Sequence, residues 1–180
     1  MLNLDSKKRK AINDIANSIK NALDLQIPVE IEKVPEMLGG TLIYEEFDDD
    51  KLEAMISKHE DNFIIQISPN SPFNRRRFSI AHELGHLFLH MGYLIDDNLW
   101  KSVGDYRDSV YYRLGHSTEE YEANEFAAAI LMPEHEFKEV ARANLIDGLF
   151  NITNIASEFD VSEEAATLRG RWLGIFSWGD

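Results

Sequence analysis

The chain has no cysteine among its 180 residues. Disulfides and cysteine metal ligands are therefore excluded, and a transition metal would have to be held by the six histidines and the carboxylates. Long apolar runs are also missing. No stretch approaches membrane-spanning length, and no apolar segment follows the basic start Lys7-Lys8-Arg9-Lys10, so no signal peptide is expected. A soluble cytoplasmic protein is the simplest expectation. Positive charge is scarce: 18 Lys and Arg stand against 32 Asp and Glu, a formal net charge of -14. Such a surface repels phosphate backbones, which argues against direct nucleic-acid binding, and it suits a partner with basic faces as well as it suits plain solubility. There is no internal repeat and no low-complexity linker. What remains is long enough for one domain with a proper core, and its 44% hydrophobic content is ordinary for a globular protein.

The densest chemical signal is Arg77-Phe78-Ser79-Ile80-Ala81-His82-Glu83-Leu84-Gly85-His86-Leu87-Phe88-Leu89-His90. It contains H-E-x-x-H within a helical pattern. At about 100° per residue, His86 sits roughly 40° and Glu83 roughly 100° round from His82, so the three share a face. Ile80, Leu84, Leu87, Phe88 and Met91 cluster on the opposite side as a core face. Two imidazoles one turn apart suit one zinc ion, and the glutamate between them suits a general base. Gly85 is a poor helix former, which predicts a close approach by another element there. His90 continues the spacing, but it stands about 12 Å along the axis from His82 and a single tetrahedral ion does not gather all three from a straight helix. The third ligand must come from elsewhere.

The segment from Ser117 to Pro133, rich in alanine, predicts a second helix that Pro133 ends. Three of its glutamates compete for the third place. Glu120 shares a face with Ala123, Asn124 and Ala127, small neighbours that allow close packing on the first helix. Asn124 is then placed to brace a ligand. Glu122 points roughly the other way and ranks next. Glu119 falls in the first turn, where any acid is favoured by the helix dipole. Ser117-x-x-Glu120 also reads as a capping box, which gives Glu120 a purely structural alternative.

Elsewhere the pattern predicts an amphipathic helix over 5–24, a short helix over 30–38 stopped by Gly39-Gly40, and strands over 41–46, 52–59 and 62–68. Asp48-Asp49-Asp50 reads as a turn or a solvated acidic loop. The stretch between Gly92 and Ser117 reads as irregular, with Tyr106, Tyr111, Tyr112 and His116 as candidate site walls. A helix to about Leu145 and a loop through Gly148 follow. Two short helices then show helix-turn-helix spacing, with Ser162 as an N-cap. Glu163 and Glu164 open the would-be recognition helix, so packing, or a surface that holds a protein, is expected rather than DNA contact. Arg75, Arg76 and Arg77 are expected to pair with the chain's many acids.

"RRRFSIAHELGHLFLH" and "EEYEANEFAAAILMP" together resemble the ImmA/IrrE metallopeptidase family. "GGTLIYEEFDDDKLEAMISKHEDNFIIQISPNSPFN" is similar to that family's small sheet, and "NIASEFDVSEEAATLRGRWLGIF" extends the likeness towards the end, so that it covers most of the chain from about residue 28. The resemblance implies His82 and His86 as zinc ligands, Glu83 as base and Glu120, through E-x-x-A-N, as third ligand. It implies a mainly helical α+β fold, with zincin-like helices on a three-stranded sheet. The core is expected over 1–146 and a helix-turn-helix-like subdomain packed on it over 147–180. His116 is the candidate to polarise the scissile carbonyl. The implied activity is zinc-dependent endoproteolysis of a helix-turn-helix repressor from a mobile element or stress regulon. The alternative is a toxin or interaction module that binds such a regulator without cutting it.

Overall fold

A computed structural model describes residues 4–48, 52–103 and 117–178. Helix α1 (Ser6–Ala22) begins where the Asp5 carboxylate accepts from the Lys8 amide at 2.8 Å, which satisfies one of the unpaired amides of a helix start. Its apolar stripe buries Ile12 and Ala16. The short helix expected over 30–38 is a 3-10 turn (Ile31–Lys33) running into the four-residue α2 (Val34–Met37). Gly39, at φ 83°, takes the left-handed position that stops it.

Three strands follow: β1 (Thr41–Tyr44), β2 (Ala54–His59) and β3 (Asn62–Ile67). Their order is β1-β3-β2, with β1 parallel to β3 and β2 antiparallel to it. Phe63, Ile65 and Ile67 alternate onto one fully buried face, joined by Ala54 and Ile56 of β2. The back of α3 (Phe73–Leu89) packs on the sheet. The predicted core stripe, Ile80, Leu84, Leu87, Phe88 and Met91, is buried throughout, and each such side chain contributes roughly 1.5–3 kcal/mol.

The segment after Gly92 is not wholly irregular: α4 (Asp97–Ser102) forms there, capped by Asp96, whose carboxylate accepts from the Asn98 and Leu99 amides. Tyr106, Tyr111, Tyr112, Asp49 and Asp50 lie outside the described residues. Helix α5 (Thr118–Leu131) lies against both α3 and α1, and α6 (Glu134–Ala143) leaves it at Pro133. The loop expected through Gly148 is a two-stranded hairpin, β4 (Leu145–Ile146) and β5 (Leu149–Phe150). Asp147 and Gly148 turn it with φ of 50° and 80°, the pair of left-handed residues a tight hairpin needs.

The last two helices are α7 (Ile152–Glu158) and α8 (Glu163–Trp172), the latter capped by Ser162. Ile155, Phe159 and Ala166 belong to the same buried cluster as the sheet and α3. Buried Arg77 of α3 donates to the carbonyls of Asp160 and Phe159 at 3.0 and 3.4 Å. Buried Arg169 of α8 donates to the Met132 carbonyl at 3.0 Å and to Glu125 of α5 at 3.2 Å. Each of the two long central helices is thus tied to the C-terminal pair by one guanidinium. Among the described residues no helix is long and apolar enough to cross a membrane.

Candidate metal centre

The close approach expected at Gly85 is present. A Cβ there would stand 3.0 Å from the Ala123 Cα, 3.1 Å from its carbonyl oxygen and 3.2 Å from the Phe126 Cβ. Two of these are backbone atoms, so only a glycine lets α5 come this near to α3. The consequence is chemical. With the helices this close, a carboxylate from the first turn of α5 reaches the imidazoles of α3.

His82 and His86, one turn apart on α3, bring their Nε2 atoms to 3.0 Å. The Glu120 oxygens stand 3.4 Å from His82 Nε2 and 3.2 Å from His86 Nε2. One ligand atom from each of the three residues lies within 4.8 Å of the others, and all three residues are buried. A tetrahedral ion with bonds near 2.1 Å sets its donor atoms about 3.4 Å apart, so the spacing fits. Glu83 is buried beside them on α3 with 1% exposure.

The protons around this group can be placed from the groups that only accept. His82 Nδ1 lies 3.0 Å from Asn124 Oδ1; an amide oxygen only accepts, so Nδ1 carries the proton and Nε2 keeps its lone pair. His90 Nε2 lies 3.2 Å from Glu122 Oε2 and His90 Nδ1 lies 2.8 Å from His86 Nδ1. The carboxylate only accepts, so His90 donates from Nε2 and, while neutral, accepts at Nδ1 from His86. Burial, followed by the neighbouring His86, lowers the His90 pKa, which favours the neutral ring. His86 Nε2 is then also a lone pair. Burial raises the Glu120 carboxyl, but its contacts with His82 and His86 prevail and bring it down to about 2. That lowering requires positive character between the carboxylate and the two Nε2 atoms, either a shared proton or a cation, and this donor set, with imidazole nitrogens and a carboxylate oxygen, is of the kind that holds zinc.

The structure therefore brings together His82, His86 and Glu120 and keeps Glu83 on the same helix. Ser117 Oγ does accept from the Glu120 amide at 3.2 Å, so the cap forms while the Glu120 side chain turns to the imidazoles. Glu122 is not in the ligand group; it meets His90 and, at 3.0 Å, Lys8 of α1. His116 lies outside the described residues. Arg75 pairs with Glu53 at 2.5 Å and Arg77 with Glu32 at 3.8 Å, as the acid-pairing expectation had it, and Arg77 also donates to backbone carbonyls. Sequence reasoning missed the part played by His90. Its four-residue spacing from His86, set aside as a ligand signal, is also the spacing that puts one imidazole against the next.

The profile of the M78 peptidase family, described as the IrrE N-terminal-like domain, matches residues 36–170. Among solved structures, a Mycobacterium tuberculosis transcriptional regulator is similar at TM-score 0.62 and 18% identity, over 89% of this chain and 46% of its own. At that identity the likeness is one of fold, and the chain spans about half the length of that protein. No curated protein matches the chain.

Proposed function

The chain belongs to the M78 peptidase family, that of the ImmA/IrrE metallopeptidases, and from that premise we propose that it is a zinc-dependent endopeptidase acting on a helix-turn-helix transcriptional repressor in the cytoplasm. The observation that carries the reading is the convergence of His82 Nε2, His86 Nε2 and the Glu120 carboxylate next to Glu83. The family match spans both helices that supply them.

His82, His86 and Glu120 would hold a zinc ion, which would supply Lewis acidity for a water and for the scissile carbonyl. Glu83 takes the proton from the attacking water and passes it to the leaving amine. Asn124 fixes the ring of His82. His116, close before Glu120 in sequence, is the proposed donor to the developing oxyanion. No residue here needs to act as a nucleophile.

Two features support a repressor as substrate. The net charge of -14 favours proteins with basic, DNA-facing surfaces, and the same fold occurs in a protein described as a transcriptional regulator. The test is a cleavage assay with zinc supplied, using the helix-turn-helix regulator encoded nearest the gene. Wild type is expected to cut it. Glu83→Gln is expected to lose about 10²–10⁴-fold in rate and to bind zinc as wild type does. Binding without cutting by wild type would replace this reading with a toxin or interaction module.

A further inference from the structure

We propose that His90 is a positioning residue of the metal centre: it fixes the ring and tautomer of His86, and is itself held by Glu122 and Lys8. The proposal rests on the zinc reading above, since it concerns how one ligand is presented.

The geometry is a continuous line. His86 Nδ1 meets His90 Nδ1 at 2.8 Å, His90 Nε2 meets Glu122 Oε2 at 3.2 Å, and the other Glu122 oxygen meets Lys8 Nζ at 3.0 Å. The side chains of His86, His90 and Glu122 are 1%, 8% and 10% exposed, while that of Lys8 is 50% exposed. The line therefore starts at the ligand, passes through α5 and ends at the surface on α1.

An imidazole is an ambiguous neighbour, because either nitrogen can carry the proton. If His90 were protonated on Nδ1, it would donate to His86 Nδ1 and push the His86 proton to Nε2, where a metal must bind. Glu122 removes that ambiguity by demanding a donor on the far side of the ring. Lys8 in turn holds the other oxygen of Glu122 at 3.0 Å. With Nε2 donating to Glu122, the His90 ring offers Nδ1 as acceptor to His86 Nδ1, which leaves His86 Nε2 free of a proton. His82 has a different brace, the amide oxygen of Asn124. Partners of this kind govern how firmly a ligand holds its metal.

A purely structural role is the competing explanation, since the His90 backbone amide already closes α3 on the His86 carbonyl at 3.0 Å. Zinc affinity and the tautomer separate the two. Zinc competition against a chromogenic chelator is run on metal-stripped wild type, His90→Ala, His90→Gln and Glu122→Gln. His135→Ala, whose ring is 81% exposed, is the control. Long-range proton–nitrogen spectra of the metal-free proteins report the His86 tautomer. Wild type should show His86 protonated on Nδ1. His90→Ala should give a tautomer mixture and weaken zinc binding about 10- to 100-fold. His90→Gln, whose amide oxygen still accepts, should recover part of the loss, and Glu122→Gln should show a smaller loss in the same direction. His135→Ala should match wild type.

Should His90→Ala be poorly folded, Glu122→Gln, which keeps size and shape, decides alone. Unchanged affinity and an unchanged His86 tautomer in a folded His90→Ala or in Glu122→Gln would overturn the proposal while leaving a zinc-binding wild type, and so the endopeptidase reading, standing. A wild type that binds no zinc would overturn the metal reading itself, and this proposal with it.

Discussion

Helix α5 carries two buried polar clusters, and they are built on opposite principles. In the first, Glu120 faces His82 and His86, and one imidazole nitrogen from each histidine and a carboxylate oxygen converge within 4.8 Å of one another. In the second, less than two turns further on, Glu125 lies between Arg9, Asn13 and Arg169, and donors meet acceptors. Asn13 Nδ2 donates to Glu125 at 2.7 Å, and Arg169 reaches Glu125, the Asn13 side-chain oxygen and the Met132 carbonyl at 3.2, 2.8 and 3.0 Å. Arg9 also pairs with Glu125, and its guanidinium stacks 3.8 Å over the Trp172 ring. The two clusters are comparably buried, so burial does not distinguish a site from a strut. The kind of groups that converge does. In the second cluster donors from three side chains converge on one carboxylate, whereas in the first two imidazoles and a carboxylate converge at the spacing that suits a metal ion.

Variants in the two clusters should therefore separate metal binding from stability. The largest effect is expected from Glu120→Gln, which keeps the shape of the side chain and removes the anionic donor. Zinc affinity should fall by more than about 100-fold, beyond what loss of an outer partner costs, as measured by chelator competition. Fold retention by circular dichroism must accompany it, or the contrast fails. Arg169→Met should do the reverse. Denaturant unfolding should show a loss of about 3 kcal/mol, the low end for breaking a buried pair, because Arg9 still faces Glu125, with zinc affinity near wild type. Gly85→Ala should bridge the two behaviours. It forces backbone apart, at a cost of about 1–3 kcal/mol, and it also moves Glu120 off the imidazoles, so stability and zinc affinity should drop together. The finest comparison uses two helix caps of one chemistry. Ser117→Ala and Ser162→Ala should each cost about 1 kcal/mol in thermal unfolding. Only Ser117→Ala, directly beneath Glu120, should also weaken zinc binding; equal effects on zinc would mean that the cap does not steady the ligand.

How much was legible in the sequence depended on how local the determinant is. The face shared by His82, Glu83 and His86 follows from helical period alone, and so does the core stripe behind it. The small residues at Gly85 and Ala123 announced a close crossing, because they are read as missing volume. Short elements without a period escaped. Helix α4 spans six residues and buries none of its own side chains, so no amphipathic stripe marks it. The Asp147-Gly148 hairpin has two-residue strands, too short for alternation to register. Sheet order escaped for another reason: the parallel pairing of β1 with β3, around the intervening β2, is set by contacts distant in sequence. The same holds at the site. That Glu122 meets His90 depends on where α5 lies along α3, and that Lys8 meets Glu122 depends on α1, near the other end of the sequence. Spacing on one helix could suggest His90 but could not supply its partners.

The two guanidiniums that tie the central helices to the C-terminal pair bear on how this protein can be cut or recombined. A fragment ended ahead of α7 would leave Arg77, on α3 itself, without the carbonyls of Phe159 and Asp160, and Glu125 without the guanidinium of Arg169. Arg77 would keep Glu32 and Glu125 would keep Arg9 and Asn13, but each group would lose hydrogen bonds that it makes to the C-terminal pair. The helix-turn-helix-spaced pair is accordingly packed into the same core as α3 and α5 and held to them through Arg77 and Arg169.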